Sequence, residues 1–340
     1  MLAVYLRRPG APTSLRLEDA PDPTPGPGEV LVGVQAAGVN FTDVLSRQGL
    51  NPEAPPRPFI IGHETSGDVL AVGEGVTRVR VGQRVLAYHM TGGYAERIAV
   101  PEEQVIGIPD SLAYQSAVVL PLNYGTAYVA LYRTGPVEPG MRIFIHAAAG
   151  GVGMAAVDLA RRAGLEMTGS AGTHFKRARL LSEGVLHVVP SRHLHIARLG
   201  DHIYGEGGRA YDIVLDSVGG PSIRDGLRAL RPGGRVVSLG VSGLSGGGIV
   251  HALSYLLRAP RFTFIDLLRP SLGLHGVNMR ELIRNQALMR KVLEELVALA
   301  DVGEITPQPG RVMSLDQVGE AHRLLQSRAN VGKIVLRVAA

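Results

Sequence analysis

The sequence predicts an α/β protein in two parts, a compact β-barrel followed by a doubly wound parallel sheet. Three observations lead there. The chain has 340 residues, longer than the ~250–300 over which a single core keeps growing. Its first 120 residues carry short β-branched runs separated by glycines, the pattern of a small barrel. From about residue 140, apolar strands alternate with helical stretches, which makes parallel βαβ units.

In the barrel part, residues 29–36 alternate like a half-buried strand after a turn-rich stretch from Pro21 to Gly28. Residues 67–73 and 83–88 read as further strands, with Gly62, Gly67, Gly73, Gly75 and Gly82 at the bends. Residues 116–132 read as one helix, ended by Gly135-Pro136 and Pro139-Gly140. Residues 141–146 form a buried strand, 147–153 a glycine turn and 154–163 a helix. A second strand (165–170), a helix (175–182), a short strand (187–189) and two more strands (210–216, 234–240) complete the parallel sheet. A long amphipathic helix over 279–300 follows. The last strand, 332–338, returns most economically to the barrel.

Composition removes several classes of function. There is no cysteine, hence no disulfide, thiolate nucleophile, iron–sulfur ligation or cysteine-bearing zinc site. There is no tryptophan and few aromatics of any kind, so no stacking platform for nucleic acid is expected. The net charge of +5 is spread thinly, and only Lys176, Lys291 and Lys333 are lysines; this suits an anionic cofactor better than a polyanion. The apolar start, Met1 to Leu6, is too short for a signal peptide and runs at once into Arg7-Arg8. Residues 249–268 are apolar but broken by His251, Arg258, Pro260, Arg261 and Asp266, short of the ~20 uncharged residues a bilayer needs. No membrane span and a soluble, cytoplasmic protein are expected.

The chemistry-bearing motif is Ala148-Ala149-Gly150-Gly151-Val152-Gly153, directly after a strand and opening a helix. Gly150 and Gly151 let backbone N–H groups approach a pyrophosphate, Gly153 lets helix pack on sheet, and the helix N-terminus adds partial positive charge. The end of the second strand decides the dinucleotide. A ribose 2′-hydroxyl is usually bound there by a carboxylate. Residues 169–176 contain none, but carry the Ser170 and Thr173 hydroxyls and the Lys176 cation, with Arg177 beside it. A 2′-phosphate suits that set, so NADPH is the expected cofactor.

Six stretches carry a resemblance: residues 37–43 (Ala-Gly-Val-Asn-Phe-Thr-Asp), 61–67, 123–128, 146–156, 215–220 and 330–333. Through them the chain resembles the medium-chain dehydrogenase/reductase superfamily, in its zinc-free quinone oxidoreductase branch. Residues 146–156 are most similar to vesicle amine transport protein homologues and to polyketide enoyl reductase domains. The resemblance implies a GroES-like β-barrel catalytic domain over 1–121, completed by 268–340. It implies a Rossmann NADPH-binding domain over 122–267, an active site in the cleft between them, and a homodimer joined through the Rossmann domain. Ser170, Gly172, Thr173 and Lys176 would fall on the adenosine phosphate, and Arg192 near the place of an adenosine-contacting tyrosine. Thr126, Ala149 and Val152 would join the glycine turn as cofactor contacts. Asn40, Asp43 and Asn123 would lie near the nicotinamide, and Val218, Gly240, Val241, Asn330, Gly332 and Lys333 along that half of the cofactor. Three departures stand out: Asn51 where many of this group carry tyrosine, Ser191-Arg192 where they carry the adenosine-contacting tyrosine, and Gly240-Val241-Ser242-Gly243 where polyketide reductases carry a lysine-bearing segment.

The pair His63-Glu64 raises the question of a catalytic zinc, which needs about three protein ligands. The positions of the other family ligands hold Asn40 and, approximately, Leu122, poor donors to zinc; no metal is expected. Without a metal to polarise a carbonyl, the expected chemistry is hydride transfer to a quinone or to the β-carbon of an enone or enoyl thioester. Hydrogen-bond donors would stabilise the charge on the distal oxygen. Candidate donors are Asn40, His63 and Tyr124, with Asp43 orienting them and water supplying the proton. Asn40 could also cap the short helix it precedes. Residues 249–268 and Gly246 to Gly248 are expected to shape the acceptor pocket. A free-standing enoyl reductase of a biosynthetic pathway, or a nicotinamide-binding regulatory protein with little turnover, are the alternatives.

Overall fold

The computed structural model describes residues 1–191, 195–205, 207–240 and 260–338. The chain divides into two compact units, Met1–Gly125 with Arg280–Ala340, and Thr126–Met279. The sequence-based contacts at Arg192 and Val241, the Gly246 to Gly248 run and the pocket segment through residue 259 lie outside the described residues.

The first unit begins with β1 (Leu2–Leu6), β2 (Leu17–Asp19), β3 (Glu29–Val39), α1 (Phe41–Gln48) and β4 (Phe59–Ile60). It continues with β5 (Glu64–Val72), β6 (Arg84–Tyr88), β7 (Arg97–Pro101), β8 (Val105–Gly107) and α2 (Tyr114–Ala117). α3 (Gly125–Tyr132) crosses into the second unit, which runs through β9 (Arg142–Ile145), α4 (Gly151–Arg162), β10 (Glu166–Ala171), α5 (His174–Ser182) and β11 (His187–Pro190). Then come α6 (Ile196–Tyr204), β12 (Tyr211–Asp216), α7 (Pro221–Ala229), β13 (Leu230–Ser238), α8 (Phe264–Leu268) and β14 (Gly273–Gly276). The chain returns to the first unit through α9 (Met279–Arg284), α10 (Gln286–Asp301), β15 (Pro309–Ser314), α11 (Val318–Gln326) and β16 (Lys333–Arg337).

In the first unit a seven-stranded sheet is ordered β15-β16-β3-β5-β6-β8, with β7 also on β3. Along β3 the side chains alternate between buried and half-buried until Ala36, then all are buried. That change marks where the strand leaves the surface and enters the interior. Val30, Val32, Val34, Val69, Val85 and Val100 fill the core of this sheet. The C-terminal strand returns as expected: β16 runs antiparallel to β3, Ile334 opposite Val39.

In the second unit all six strands are parallel, ordered β11-β10-β9-β12-β13-β14. This is the doubly wound order, which reverses beside β9 and leaves a crevice at the strands' carboxyl ends. Phe144, Tyr211, Val214, Leu230 and Val236 pack its core.

Three helix expectations are corrected. The helix expected over 116–132 is three pieces, because Pro121 has no N–H to donate; a π-helical turn, Leu120–Tyr124, separates α2 from α3. The helix expected over 279–300 breaks at Asn285, whose side chain caps α10 by accepting from the Leu288 N–H at 3.2 Å. The helix after the glycine turn starts at Gly151 rather than 154. Gly273–Gly276, a stretch without β-branched residues that the sequence did not mark, adds the sixth parallel strand to the second unit. Among the described residues no helix is long and apolar enough to cross a membrane.

Candidate active site

β9 ends at Ile145 and hands the chain to the glycine turn. Ala147 sits at φ +48°, the left-handed region, and the Gly150 N–H bonds back to its carbonyl at 2.8 Å. A Cβ at Gly153 would lie 2.5 Å from both the Ala147 and Ala148 carbonyl oxygens. Those atoms are backbone, so only glycine fits. Gly150 is the N-cap of α4, and Gly151 and Val152 open the helix half-buried at its N-terminus, while Ala149 is buried. Ser170 is buried on β10, and its hydroxyl accepts the Ala147 N–H at 3.2 Å. It braces the turn from beneath, while the other residues expected at an adenosine phosphate form a set nearer the surface.

That set is carried by the loop after β10 and the first turn of α5. Gly172 is exposed, with open space where a Cβ would be. Thr173 is exposed and caps α5, its Oγ1 accepting from the Lys176 N–H at 3.3 Å. Lys176 and Arg177 are half-buried in that first turn, which has no acidic residue. The helix dipole disfavours cations at this end; an anion at the same place reverses the balance.

A residue without an assigned role in the sequence reading proves to organise the neighbouring loop. Asp216, fully buried at the end of β12, accepts from the N–H groups of Val218 (2.7 Å) and Gly219 (2.8 Å) and from the Ser222 hydroxyl (2.5 Å). It fixes the loop that carries Val218, with Gly219 and Gly220 at positive φ. An acid at a strand end followed by Ser-Val-Gly-Gly was the available signal. Gly240 lies close to the same loop, 3.9 Å from the Ser217 carbonyl when given a Cβ. His146, beside the turn, is buried, and its Nε2 has no partner among the described residues. Burial pushes its pKa down, against the opposing pull of Asp216 and Asp225.

In the first unit the predicted residues gather around a buried ion pair. Lys333 and Glu64 are in contact and almost wholly buried. The Lys333 ammonium also donates to Asn40 Oδ1 at 2.5 Å and Asn123 Oδ1 at 3.4 Å. Glu64 Oε1 further accepts from Asn40 Nδ2 at 2.9 Å, and Oε2 from the Leu122 N–H at 3.0 Å. The residue types alone gave no sign of this pair. Lys333, expected along the cofactor, has its donors engaged inside the first unit, because the turn before β16 aims it inward. In that turn Asn330 donates to the Gly332 carbonyl at 2.7 Å, and Gly332 has φ +64°. Both residues are thus occupied in shaping backbone. Asn123, Tyr124 and Thr126 are buried in or just after the π-helical turn.

Asn40 is the N-cap of α1, and its backbone N–H donates to Asp43 Oδ2 at 2.7 Å. Capping and site roles therefore coexist: the backbone serves the helix and the side chain serves the ion pair. Asp43 also accepts from Tyr94, missed by the sequence reading, at 3.0 Å. Burial, then the Asp43 charge, hold the Tyr94 hydroxyl well above its ordinary pKa. His63 Nε2 stands 3.4 Å from Asp43 Oδ1, too long for a strong bond, and neither atom has another partner among the described residues. Asn51, where a pocket tyrosine is absent, is buried between Ser46 (2.8 Å) and Arg280 (2.6 Å).

These residues do not fit a catalytic zinc. Glu64 is neutralised by an ammonium and saturated by N–H donors, Asn40 offers only an amide, and the sequence has no thiolate. Among the described residues no three His, Asp or Glu groups converge. The glycine turn and the α5 N-terminus do fit a dinucleotide phosphate ester: backbone N–H groups, a hydroxyl and cations, with no carboxylate in the way.

Known proteins are similar to this chain along its length. Residues 26–110 match the family described as alcohol dehydrogenase GroES-like domain, and residues 184–336 the family described as zinc-binding dehydrogenase. The human synaptic vesicle membrane protein VAT-1 homolog is 33% identical over 325 residues, 95% of this chain and 82% of that protein. The Escherichia coli quinone oxidoreductase complexed with NADPH superposes with a TM-score of 0.86 at 27% identity, covering 99% of this chain and 100% of that one. The CurK enoyl reductase does so with 0.83 at 30% identity, covering 99% of each chain. A likeness of this depth, end to end in sequence and in both units of the fold, makes the chain a member of the medium-chain dehydrogenase/reductase superfamily.

Proposed function

We propose that this protein is a metal-independent, NADPH-dependent reductase acting on a quinone or an α,β-unsaturated carbonyl, enoyl thioesters included. The observation that carries the reading is the loop after β10: Gly172 open, Thr173 capping, Lys176 and Arg177 in the first turn of α5, and no carboxylate. A 2′-phosphate is favoured there and a bare ribose hydroxyl gains little. Gly150, Gly151 and Gly153 would hold the pyrophosphate, with Ala149, Val152, Thr126, Val218 and Gly240 as neighbouring contacts. NADPH, when bound, supplies the hydride.

The chain's own part is to bind the acceptor oxygen on which negative charge grows as hydride is accepted. Asn40 is the donor best exposed for it. One of its N–H groups is held by Glu64, while the other has only a long contact of 3.4 Å to the Gly38 carbonyl. His63 and Tyr124 are further donors. Asp43, with its Oδ2 taken by Asn40 and Tyr94, orients its neighbours; the proton comes from water. The NADPH bound to the E. coli quinone oxidoreductase and the enoyl reductase activity named for CurK support the reading. Assembly as a homodimer through the parallel-sheet unit belongs to the same proposal, and light scattering tests it.

The function is tested by following NADPH oxidation with benzoquinones, enals and enoyl thioesters in the presence of a chelator. Acceleration by at least one class is expected. NADPH binding with no acceptor effect makes the protein a nicotinamide-binding protein and not a reductase.

A further inference from the structure

We propose that Lys333 is a positioning residue that acts through Asn40: with Glu64 it locks the Asn40 carboxamide so that one side-chain N–H faces the carbonyl oxygen of the acceptor. The proposal rests on the reductase reading above.

An ammonium can only donate hydrogen bonds. The oxygen of the Asn40 amide must therefore face Lys333, at 2.5 Å, and its NH2 must face away. Glu64 Oε1 takes one of those hydrogens at 2.9 Å. The pair thus holds the amide by both ends and forbids its flip. The remaining hydrogen has only the Gly38 carbonyl at 3.4 Å, a contact weak enough to exchange for a better acceptor. Lys333, Glu64 and Asn123 are buried, whereas Asn40 is half-buried. Asn40 is therefore the end of the cluster that a ligand reaches.

The supports are equally specific. The β16–β3 register sets Lys333 just beyond the Ile334–Val39 pair and next to Asn40. Glu64 is anchored by the Leu122 N–H through its other oxygen. A Cβ at Gly38 would lie 2.3 Å from Glu64 Oε1, so that glycine is what admits the carboxylate. The ammonium faces oxygens of Asn40, Glu64 and Asn123; an additional role on a cofactor phosphate would require breaking these bonds.

The test is a double-variant cycle between Asn40→Ala and Lys333→Met. Lys333→Met is expected to lower kcat with a quinone or enone about 100-fold, the scale of a misplaced reacting group. It should leave NADPH affinity unchanged and add no further loss in the Asn40→Ala background. Losses that multiply, or weakened NADPH binding, overturn the proposal. Because Lys333→Met strands a buried carboxylate, Glu64→Gln/Lys333→Met repeats the cycle with both charges removed. A readout without turnover is the NMR signal of the Asn40 side-chain amide. Two distinct protons, the Glu64-bound one protected from exchange, are expected in the wild type, and loss of that protection in Glu64→Gln/Lys333→Met. An unprotected amide in the wild type, or unchanged protection in the variant, overturns the proposal. Wild type that oxidises NADPH with no acceptor defeats the reductase reading, and the NMR result still decides the role of Lys333.

Discussion

The glycine turn of the second unit and the lysine cluster of the first are both sites without slack, reached by opposite means. The turn works by removing side chains: at Gly153 a methyl group would meet two carbonyl oxygens at 2.5 Å, and the backbone N–H groups are the working parts. The cluster works by burying side chains. Lys333, Glu64, Asn40 and Asn123 come from four separate segments and bond to one another. The first device is local in sequence and tolerant of what surrounds it. The second exists only once β3, β5, the π-helical turn and β16 are assembled. The proposed cofactor site should therefore survive changes that abolish the proposed acceptor site, and substitutions should separate the two.

The largest effect is expected from Gly153→Ala. Overpacking against backbone costs about 3 kcal/mol, and NADPH affinity should fall with it; urea unfolding and cofactor titration measure both. Gly38→Ala drives a methyl group into Glu64 and should cost about 2 kcal/mol, but here turnover is lost while NADPH still binds. If the two glycines behave alike, the contrast between the regions fails. Lys176→Ala should weaken NADPH about thirtyfold, the worth of one charge-assisted bond, and leave NADH untouched. Equal weakening of both would remove the lysine from the 2′-phosphate.

At neutral pH the smallest effect belongs to a titrating group of the first unit, which shows only as a slope toward acid. His322 is fully buried beside Arg47, and its pKa is pushed from 6.5 down to about 3, by burial first and then by the Arg47 charge. The unfolded chain binds the proton more tightly, so stability is complete above pH 6.5 and is lost as pH falls toward about 3. His322→Leu should remove up to about 1.4 kcal/mol of that loss per pH unit across this window. Urea unfolding at several pH values would show it as a shallower acid dependence. His89, held at about 3 by burial and by His63, should account for a similar slope that remains.

What the sequence made legible follows the same division. The βαβ alternation and the Gly150-Gly151-Val152-Gly153 turn could be read because each signal is contiguous and its physics is local. The Thr173 cap of α5 and the place of Lys176 in its first turn could be read for the same reason. The bond from the Ala147 N–H to Ser170 was not legible, because a hydroxyl at a strand end looks the same whether it faces solvent or a neighbouring N–H. The bond of Lys333 to Glu64 was not legible, because a lysine's partner across 269 residues leaves no trace in spacing. Tyr94 was passed over since nothing beside it announces a buried donor, whereas the Ser-Val-Gly-Gly after Asp216 was a local signal of a loop-bracing acid. The breaks at Pro121 and Asn285 were legible in principle, because proline and a capping asparagine are local punctuation.

The account stands or falls on cofactor choice in the absence of metal. Metal-stripped protein should be assayed for kcat/KM with NADPH and with NADH, using whichever quinone or enone supports turnover. A strong preference for NADPH, undiminished by a chelator, is the predicted result. Preference for NADH, or activity restored only by a stoichiometric divalent metal, would contradict it.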